Sequence, residues 1–289
     1  MLDRRFWICA FVAMLGFAAT PQRYRSTGMV LSVDVPHKTV LVSHERIEGF
    51  MDAMAMPFHV DDPRILDELK PGEKIEFTLV VNETSSYIAN VQVRGYENLE
   101  RDPVQAQRLK MLDEAMHAES TTDIQPGQAV PDFSLVDQNQ RTIALSGLRG
   151  KVVAITFIYT RCPLPDYCFR LSTNFSRVQK RFHDRVGKDL VLLSVTFDPA
   201  HDTPEVLAKS AHLWKADVDG WHFLTGDVAT VKHVCGMFGM NFWPDEGLLT
   251  HSLHTVVLNR QGKLVTNIEG NQFTAIQLGD LIQATLAHE

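Results

Sequence analysis

Hydrophobic residues recur with two different periods along this chain, and the change of period divides the chain into two parts. From Thr27 to Tyr96 the apolar residues form short, β-branched or alternating runs separated by turn residues such as Pro71-Gly72. Such runs are typical of strands, and no long helical pattern interrupts them. The predicted strands are Met29–Val35, Lys38–His44, Met56–Val60, Lys74–Val81 and Ser86–Arg94. About five strands in roughly 70 residues indicate a small closed barrel.

From Val130 onward, strand patterns alternate with helical patterns, which predicts an α/β sandwich. The run Lys151–Thr160 is almost entirely apolar and predicts a strand buried on both faces. Apolar residues then recur every three or four positions, which predicts a helix over Asp166–Asp184 that starts near Pro165. Further strands are predicted at Phe133–Val136, Thr142–Leu145, Leu190–Phe197, Trp221–Leu224, His254–Asn259 and Leu264–Ile268, and further helices at Thr203–Trp214, Asp227–Phe238 and Thr274–Ala287. Cysteines lie at the start of the first helix, and a hairpin followed by a helix ends the domain. This arrangement predicts a thioredoxin-like fold.

The two predicted domains, residues 27–97 and 129–289, are joined by a segment of different character. Residues 98–128 are rich in charged residues, Gln, Ser and Thr, and we interpret them as a linker. One marginal helix is predicted within it, over Val104–His117.

The first 20 residues resemble a secretory signal peptide. Arg4 and Arg5 are followed by an apolar stretch, Phe6–Ala19, and by small residues. The stretch is about 14 residues long, shorter than the ~20 that span a bilayer. An uncleaved anchor is the alternative, so we expect an exported, periplasmic protein that is either soluble or held at the inner membrane. A disulfide is chemically reasonable in such a compartment.

Charge and cysteine content narrow the possible partners. The chain has 289 residues and a formal net charge of −7, with no basic tract, which argues against nucleic-acid binding. Four cysteines are too few for a disulfide framework. Cys235 lies on an apolar helix face and is interpreted as a packing residue.

Methionines cluster within the predicted barrel. Met54 and Met56 are two residues apart, so a strand places both thioethers on one face. Thioethers favour Cu(I) or Ag(I), and an imidazole such as that of His44 can complete such a site. The alternative is that these methionines only pack the core.

The segment HERIEGFMDAMAMPFHV, followed by LKPGEKIEF, resembles the periplasmic CusF-type copper-binding domain, a small OB-like barrel. The resemblance implies that His44, Met54 and Met56 bind Cu(I). Met51 stands where that family has a tryptophan that caps the ion, which makes its sulfur a further candidate ligand.

Cysteines open the first helix of the second domain. The strand before them delivers Cys162 and Cys168 to a helix N-terminus, where the macrodipole favours a thiolate. The segment Asp198–Thr203 follows the second parallel strand, and ligands of open α/β sheets bind beyond such strand ends. His251 and His254 are three residues apart, so only one of them is expected to face the cysteines.

Four motifs in this domain resemble the SCO/SenC family in order: VPDFSLVDQ, GKVVAITFIYTRCPLPDYC, LLSVTFDPAHDTPEVL and THSLHTVVLNRQGKL. These thioredoxin-fold proteins are implicated in loading copper into cytochrome c oxidase. The resemblance implies that Cys162, Cys168 and His251 bind copper, with Asp198 near the site and His254 in the core or on the surface. Five residues separate the cysteines here where the family has three, which strengthens the alternative of a redox-active disulfide.

Three functions remain open from the sequence. We expect a copper-binding metallochaperone, holding Cu(I) or Cu(II), whose partner is a cytochrome c oxidase subunit or another periplasmic copper protein; such a chaperone is not an enzyme. The first alternative is a thiol–disulfide oxidoreductase in which Cys162 attacks and Cys168 resolves. The second is a copper-sequestering or resistance protein without a dedicated client.

Overall fold

The structure is a computed structural model that describes residues 20–96, 124–240, 242–245 and 248–288. Most of the predicted signal segment, and the predicted helix of the linker, lie outside these described residues. Within the described ranges, none of the helices combines the length and hydrophobicity needed to cross a membrane.

The N-terminal half is a five-stranded antiparallel sheet that curls into a barrel. Its strands are β1 (Gln22–Asp34), β2 (Thr39–His44), β3 (Met54–His59), β4 (Lys74–Val81) and β5 (Ser86–Arg94). They lie in the order β3-β2-β1-β4-β5, and the sheet closes where Val60, just after β3, bridges Ile88 of β5. Strand β1 begins earlier than the predicted Met29, because its polar start Gln22–Thr27 pairs with β4.

The C-terminal half contains a seven-stranded mixed sheet. Its strands are β6 (Ser134–Asp137), β7 (Thr142–Ala144), β8 (Val152–Ile158), β9 (Leu190–Thr196), β10 (Trp221–Thr225), β13 (His254–Leu258) and β14 (Leu264–Glu269). They lie in the order β14-β13-β8-β9-β10-β6-β7, and β8, β9 and β10 are parallel and fully buried. The helices are α1 (Arg170–Arg181), α2 (Pro204–Trp214), α3 (Val228–Met237) and α4 (Ala275–Ala287). A barrel followed by a thioredoxin-like domain is the fold that the sequence predicts, and it is confirmed.

Two local features differ from the sequence prediction. Helix α1 becomes regular only at Arg170, four residues after the predicted start, because Pro165–Phe169 form a wider turn in which Tyr167 is non-helical (φ −109°, ψ −110°). A separate two-stranded hairpin, β11 (Phe242–Asp245) and β12 (Leu248–His251), was not predicted. The hairpin places His251 at the end of β12 rather than at the start of β13.

Side-chain caps fix the starts of the other three helices at the expected residues. Thr203, Asp227 and Thr274 accept hydrogen bonds from the backbone N–H groups of Val206, Thr230 and Gln277. Each cap satisfies an amide that the helix itself leaves unpaired.

The barrel packs directly on the second half of the chain. Met29, Leu31 and Tyr96 belong to the same apolar cluster as the central strands β8 and β9. The Ser43 hydroxyl donates to one oxygen of Asp280 at 2.6 Å, and Arg181 binds the other oxygen at 2.6 Å. Ser43 and Asp280 are both buried. The interface therefore contains a hydrogen-bonded polar cluster, formed by Ser43, Asp280 and Arg181, as well as apolar contacts.

We predict that Asp280→Ala destabilises the folded chain by about 2 kcal/mol, because it strands the buried Ser43 hydroxyl and removes the partner of Arg181. Urea unfolding measures the change. The control is Glu76→Ala, which removes the exposed ion pair with Arg94 and should cost less than about 1 kcal/mol. If Asp280→Ala lowers the free energy of unfolding by no more than the control does, the Ser43–Asp280–Arg181 cluster does not stabilise the interface.

Candidate metal centres

The first candidate centre lies where β2 and β3 pair. His44 is the direct cross-strand partner of Met54, and Val42 is the partner of Met56. Directly opposed residues share a face of the sheet, as do residues two apart, so the imidazole and both thioethers lie on one face. Met54 is 50% exposed, while Met56 is half-buried against the barrel core. The structure therefore brings together His44, Met54 and Met56 at a site that solvent can reach.

The orientation of His44 suits a metal ligand. Its Nδ1 lies 2.7 Å from the carbonyl oxygen of Glu45, which can only accept, so Nδ1 carries the hydrogen and Nε2 has a free lone pair. Nε2 is buried, and no described residue provides it with a hydrogen-bond partner. An unpaired buried polar atom costs about 1–3 kcal/mol, and a coordinated ion would remove that penalty. The donor set thus fits a soft cation.

Other side chains complete the surroundings of this centre. Met51 lies in the turn before β3, where it bridges Ile47 and packs against the barrel core, and it is not on the paired strands. The exposed ring of Phe50 stacks on Tyr24, with centroids 4.6 Å apart, and the Phe58 ring meets His44 edge-on at 5.6 Å. These aromatic contacts were missed from the sequence, although Phe50 and Phe58 flank the methionines.

The second candidate centre joins three separate segments. The Cys162 thiol lies close enough to Cys168 and to the His251 ring for both side chains to lower its pKa. Cys162 follows β8, Cys168 lies in the wide turn before α1, and His251 ends β12. Both cysteines are free thiols here; Cys168 is buried and Cys162 is partly accessible.

Two consecutive turns close the long loop between the cysteines. The Cys162 N–H donates to the Tyr159 carbonyl at 3.3 Å, and the Tyr167 N–H donates to the Leu164 carbonyl at 3.2 Å. The non-helical Tyr167 then turns the chain into α1. These turns take up the extra residues and return the chain from Cys162 towards Cys168.

The two thiols are electrostatically unequal. The hydrogen bond from Cys168 lowers the pKa of Cys162 to about 4; burial opposes this shift and the contact with His251 reinforces it. The same hydrogen bond, together with burial, raises the pKa of Cys168. Cys162 is therefore the thiolate of the pair at neutral pH, and Cys168 keeps the shared proton.

His251 repeats the arrangement seen at His44. Its Nδ1 lies 2.8 Å from the Ser252 carbonyl oxygen, which leaves Nε2 without the hydrogen. Its ring is surrounded by Phe197, Tyr159 and Tyr167, with centroids at 4.6, 5.8 and 6.2 Å. This aromatic enclosure was missed from the sequence because its members come from two segments, Tyr159–Tyr167 and Phe197, that are both far from His251 in the chain.

His254 takes no part in the second centre. It is buried, and its Nδ1 lies 3.0 Å from the Asn267 side-chain oxygen. Cys235 is fully buried in α3, where burial raises its pKa, in keeping with a packing residue.

Asp198 is paired with the residue that precedes Cys162. Its carboxylate binds the Arg161 guanidinium at 2.6 Å, and Arg161 directly precedes Cys162. Asp198, His201 and Asp202 also offer ligand atoms within 4.8 Å of one another. The two carboxylates are already bonded to Arg161 and to threonine hydroxyls, and carboxylate oxygens do not favour Cu(I).

Comparison with known proteins decides the family. Residues 121–287, more than half of the chain, match the SCO1/SenC family model. The chain belongs to the SCO1/SenC family. Residues 23–93 match the model of the copper binding periplasmic protein CusF, which places a CusF-like domain before the SCO1/SenC domain and supports copper as the metal.

Individual relatives agree with this assignment. "Protein sco1" of Schizosaccharomyces pombe is 27% identical over 143 residues, which are 46% of this chain and 52% of that protein. "SCO1 protein homolog" of Bacillus subtilis is 30% identical over 97 residues, 34% of this chain and 49% of that protein. The chain thus spans about half the length of these two curated relatives. A solved protein of Aquifex aeolicus VF5 shares the fold, with a TM-score of 0.50 and 22% identity over 56% of this chain and 95% of that one.

The different pKa values of Cys162 and Cys168 predict that the two thiols differ in their rates of alkylation. With a pKa of about 4, Cys162 stays a thiolate well below neutrality, so its alkylation by iodoacetamide should hardly slow between about pH 8 and about pH 6. Cys168 and Cys235, whose pKa values are raised, should remain unlabelled. Peptide mass spectrometry distinguishes the individual cysteines, and Cys162→Ala is the control that should leave no fast labelling at Cys168 or Cys235 near about pH 6. A Cys162 rate that falls about tenfold per pH unit from pH 8, as for an ordinary thiol, would contradict the assignment.

Proposed function

We propose that this protein is an exported Cu(I) metallochaperone that supplies copper for a copper site of cytochrome c oxidase. The observation that carries the proposal is the position of the Cys162 thiol, which lies beside both Cys168 and His251, so that soft or borderline donors from three segments come together. Copper is the cargo of this protein. The N-terminal segment and the match to a periplasmic family support export, and membership of the SCO1/SenC family supports the oxidase as client.

At the second centre the cargo would be held by two sulfurs and one imidazole. Cys162 is already a thiolate, whereas Cys168 must lose its proton to become a ligand. Binding therefore releases a proton and becomes tighter as the pH rises. His251 presents Nε2 because its Nδ1 hydrogen is given to the Ser252 carbonyl, which fixes the ring as second-layer hydrogen bonds do in metal sites.

The barrel would hold copper through uncharged donors only. Two thioethers and the imidazole of His44 carry no charge, while the second centre contributes thiolates. A cation is held more strongly by anionic sulfur than by neutral sulfur. We infer that the barrel collects Cu(I) and that copper passes on to the cysteines.

A thiol–disulfide oxidoreductase is the second candidate, because the two thiols touch and differ in acidity. The accessible Cys162 thiolate would attack a client disulfide, and the buried Cys168 would resolve the mixed disulfide. His251 would then be dispensable for exchange, which separates this function from copper delivery.

Anaerobic Cu(I) titration of the reduced chain should give two binding equivalents. Cys162→Ala should lose one of them and Met54→Ala the other, because each removes a sulfur from a different centre. Cys235→Ala is the matched control, since it removes a thiol that is fully buried within α3, and it should keep both equivalents. A stoichiometry that is unchanged in both site variants would refute the two-centre proposal.

His251→Ala separates the two candidate functions. We expect it to weaken Cu(I) binding at the second centre by about tenfold or more while the cysteines still exchange with glutathione disulfide. Competition with a chromophoric Cu(I) chelator measures the first effect and thiol alkylation the second. If the affinity for Cu(I) does not change, His251 is not a ligand and the oxidoreductase becomes the better account.

A further inference from the structure

A short segment between β14 and α4, Gly270–Phe273, touches both sides of the second centre. The Asn271 side-chain amide donates to the Asp166 carbonyl, inside the loop between the cysteines. The Asn271 backbone carbonyl accepts from Arg170 Nε at 2.8 Å, just after Cys168. Asn271 therefore contacts the chain on both sides of Cys168, at Asp166 and at Arg170.

The same segment also holds the strand region that carries the histidine. The Gly270 N–H donates to the Leu253 carbonyl at 2.7 Å, two residues after His251. Gly270 has φ +89°, a conformation that glycine adopts without strain, so the chain can turn at this point. One segment thus sets the spacing between the cysteine loop and the residues that follow β12.

The barrel docks on this segment through its last described residue. Tyr96 forms a parallel bridge with Gly270, and its carbonyl accepts from the Gln272 N–H at 3.2 Å. The Tyr96 ring packs edge-on against Phe273, with centroids 5.9 Å apart and planes at 87°. Tyr96 and Asn271 are both buried.

We propose that Gly270–Phe273 makes the barrel a structural part of the cysteine–histidine centre. Tyr96 and Asn271 are positioning residues for Cys162, Cys168 and His251, acting through Asp166, Arg170 and Leu253. The consequence for copper rests on the function proposed above. The consequence for the two thiols does not, because their spacing sets how easily they join in a disulfide whether or not copper binds.

Two readouts test the coupling, and one of them is independent of copper. The first is Cu(I) affinity in a Met54→Ala background, measured by chelator competition. The second is the equilibrium of the cysteines with glutathione, in which glutathione disulfide takes up two electrons and two protons as Cys162 and Cys168 form a disulfide. We expect Asn271→Ala and Tyr96→Ala each to lower Cu(I) affinity by about tenfold, as outer hydrogen-bond partners of metal ligands do, and to shift the disulfide equilibrium several-fold.

Matched variants distinguish a specific effect on the position of the cysteines and His251 from a general weakening of the interface between the two halves. Tyr96→Phe keeps the ring and removes only a hydroxyl that has no hydrogen-bond partner among the described residues, so it should behave as the parent. Ser43→Ala weakens the same interface at Asp280, away from Gly270–Phe273, and should change both readouts by less than about twofold. Combining Tyr96→Ala with Asn271→Ala should give less than the sum of their effects, because both act through one segment.

The outcomes are distinguishable. A folded Tyr96→Ala protein with parental copper affinity and a parental disulfide equilibrium would overturn the proposal, as would Ser43→Ala effects equal to those of Tyr96→Ala. Should Tyr96→Ala not fold, Tyr96→Leu, which retains apolar volume, replaces it under the same criteria. If the parent binds no copper at the cysteines, the proposed function fails, while the glutathione equilibrium still decides whether the barrel positions the thiols.

Discussion

A buried carboxylate beyond strand β9 holds the end of β8, from which the larger centre is built. Asp202 is fully buried and accepts hydrogen bonds from the Thr160 N–H at 3.0 Å, from the Thr160 hydroxyl and from the Thr196 hydroxyl at 2.6 Å. A buried charge is tolerated only while such bonds persist, so Thr160 has little freedom. Arg161 is paired with Asp198 in turn. The backbone immediately before Cys162 is therefore held in place. The two turns that follow bring the chain back towards Cys168.

The two candidate centres orient their histidines in the same way, although one lies on the barrel and the other in the thioredoxin-like half. Each has one histidine whose Nδ1 faces the backbone carbonyl of the next residue, Glu45 or Ser252. Each combines that imidazole with two sulfurs, thioethers on the barrel and thiols in the larger half. In the proposed function, this difference between uncharged and anionic sulfur would favour transfer of a soft cation from the barrel to the cysteines. Docking of the barrel on the segment Gly270–Phe273 places the two scaffolds in one folded unit.

Local sequence patterns were sufficient to predict most of the secondary-structure elements, but not the contacts between distant segments. Strand and helix periods located most elements of both halves, including the helices that begin at Thr203, Asp227 and Thr274. The sequence did not predict the start of β1, where polar residues are ordered by pairing with β4 rather than by their own hydrophobicity. It also missed the β11–β12 hairpin, which lies outside the main sheet. The ring of aromatic residues around His251 and the Ser43–Asp280 contact join residues far apart in the chain, and no local pattern reports such contacts.

The most direct test of this account is diffraction from crystals of the reduced, Cu(I)-loaded chain on both sides of the copper absorption edge. The account predicts two anomalous copper peaks, one among Cys162, Cys168 and His251 and one among His44, Met54 and Met56. Copper bound instead at the carboxylates of Asp198 and Asp202, or missing from the cysteines while they form a disulfide under reducing conditions, would contradict it.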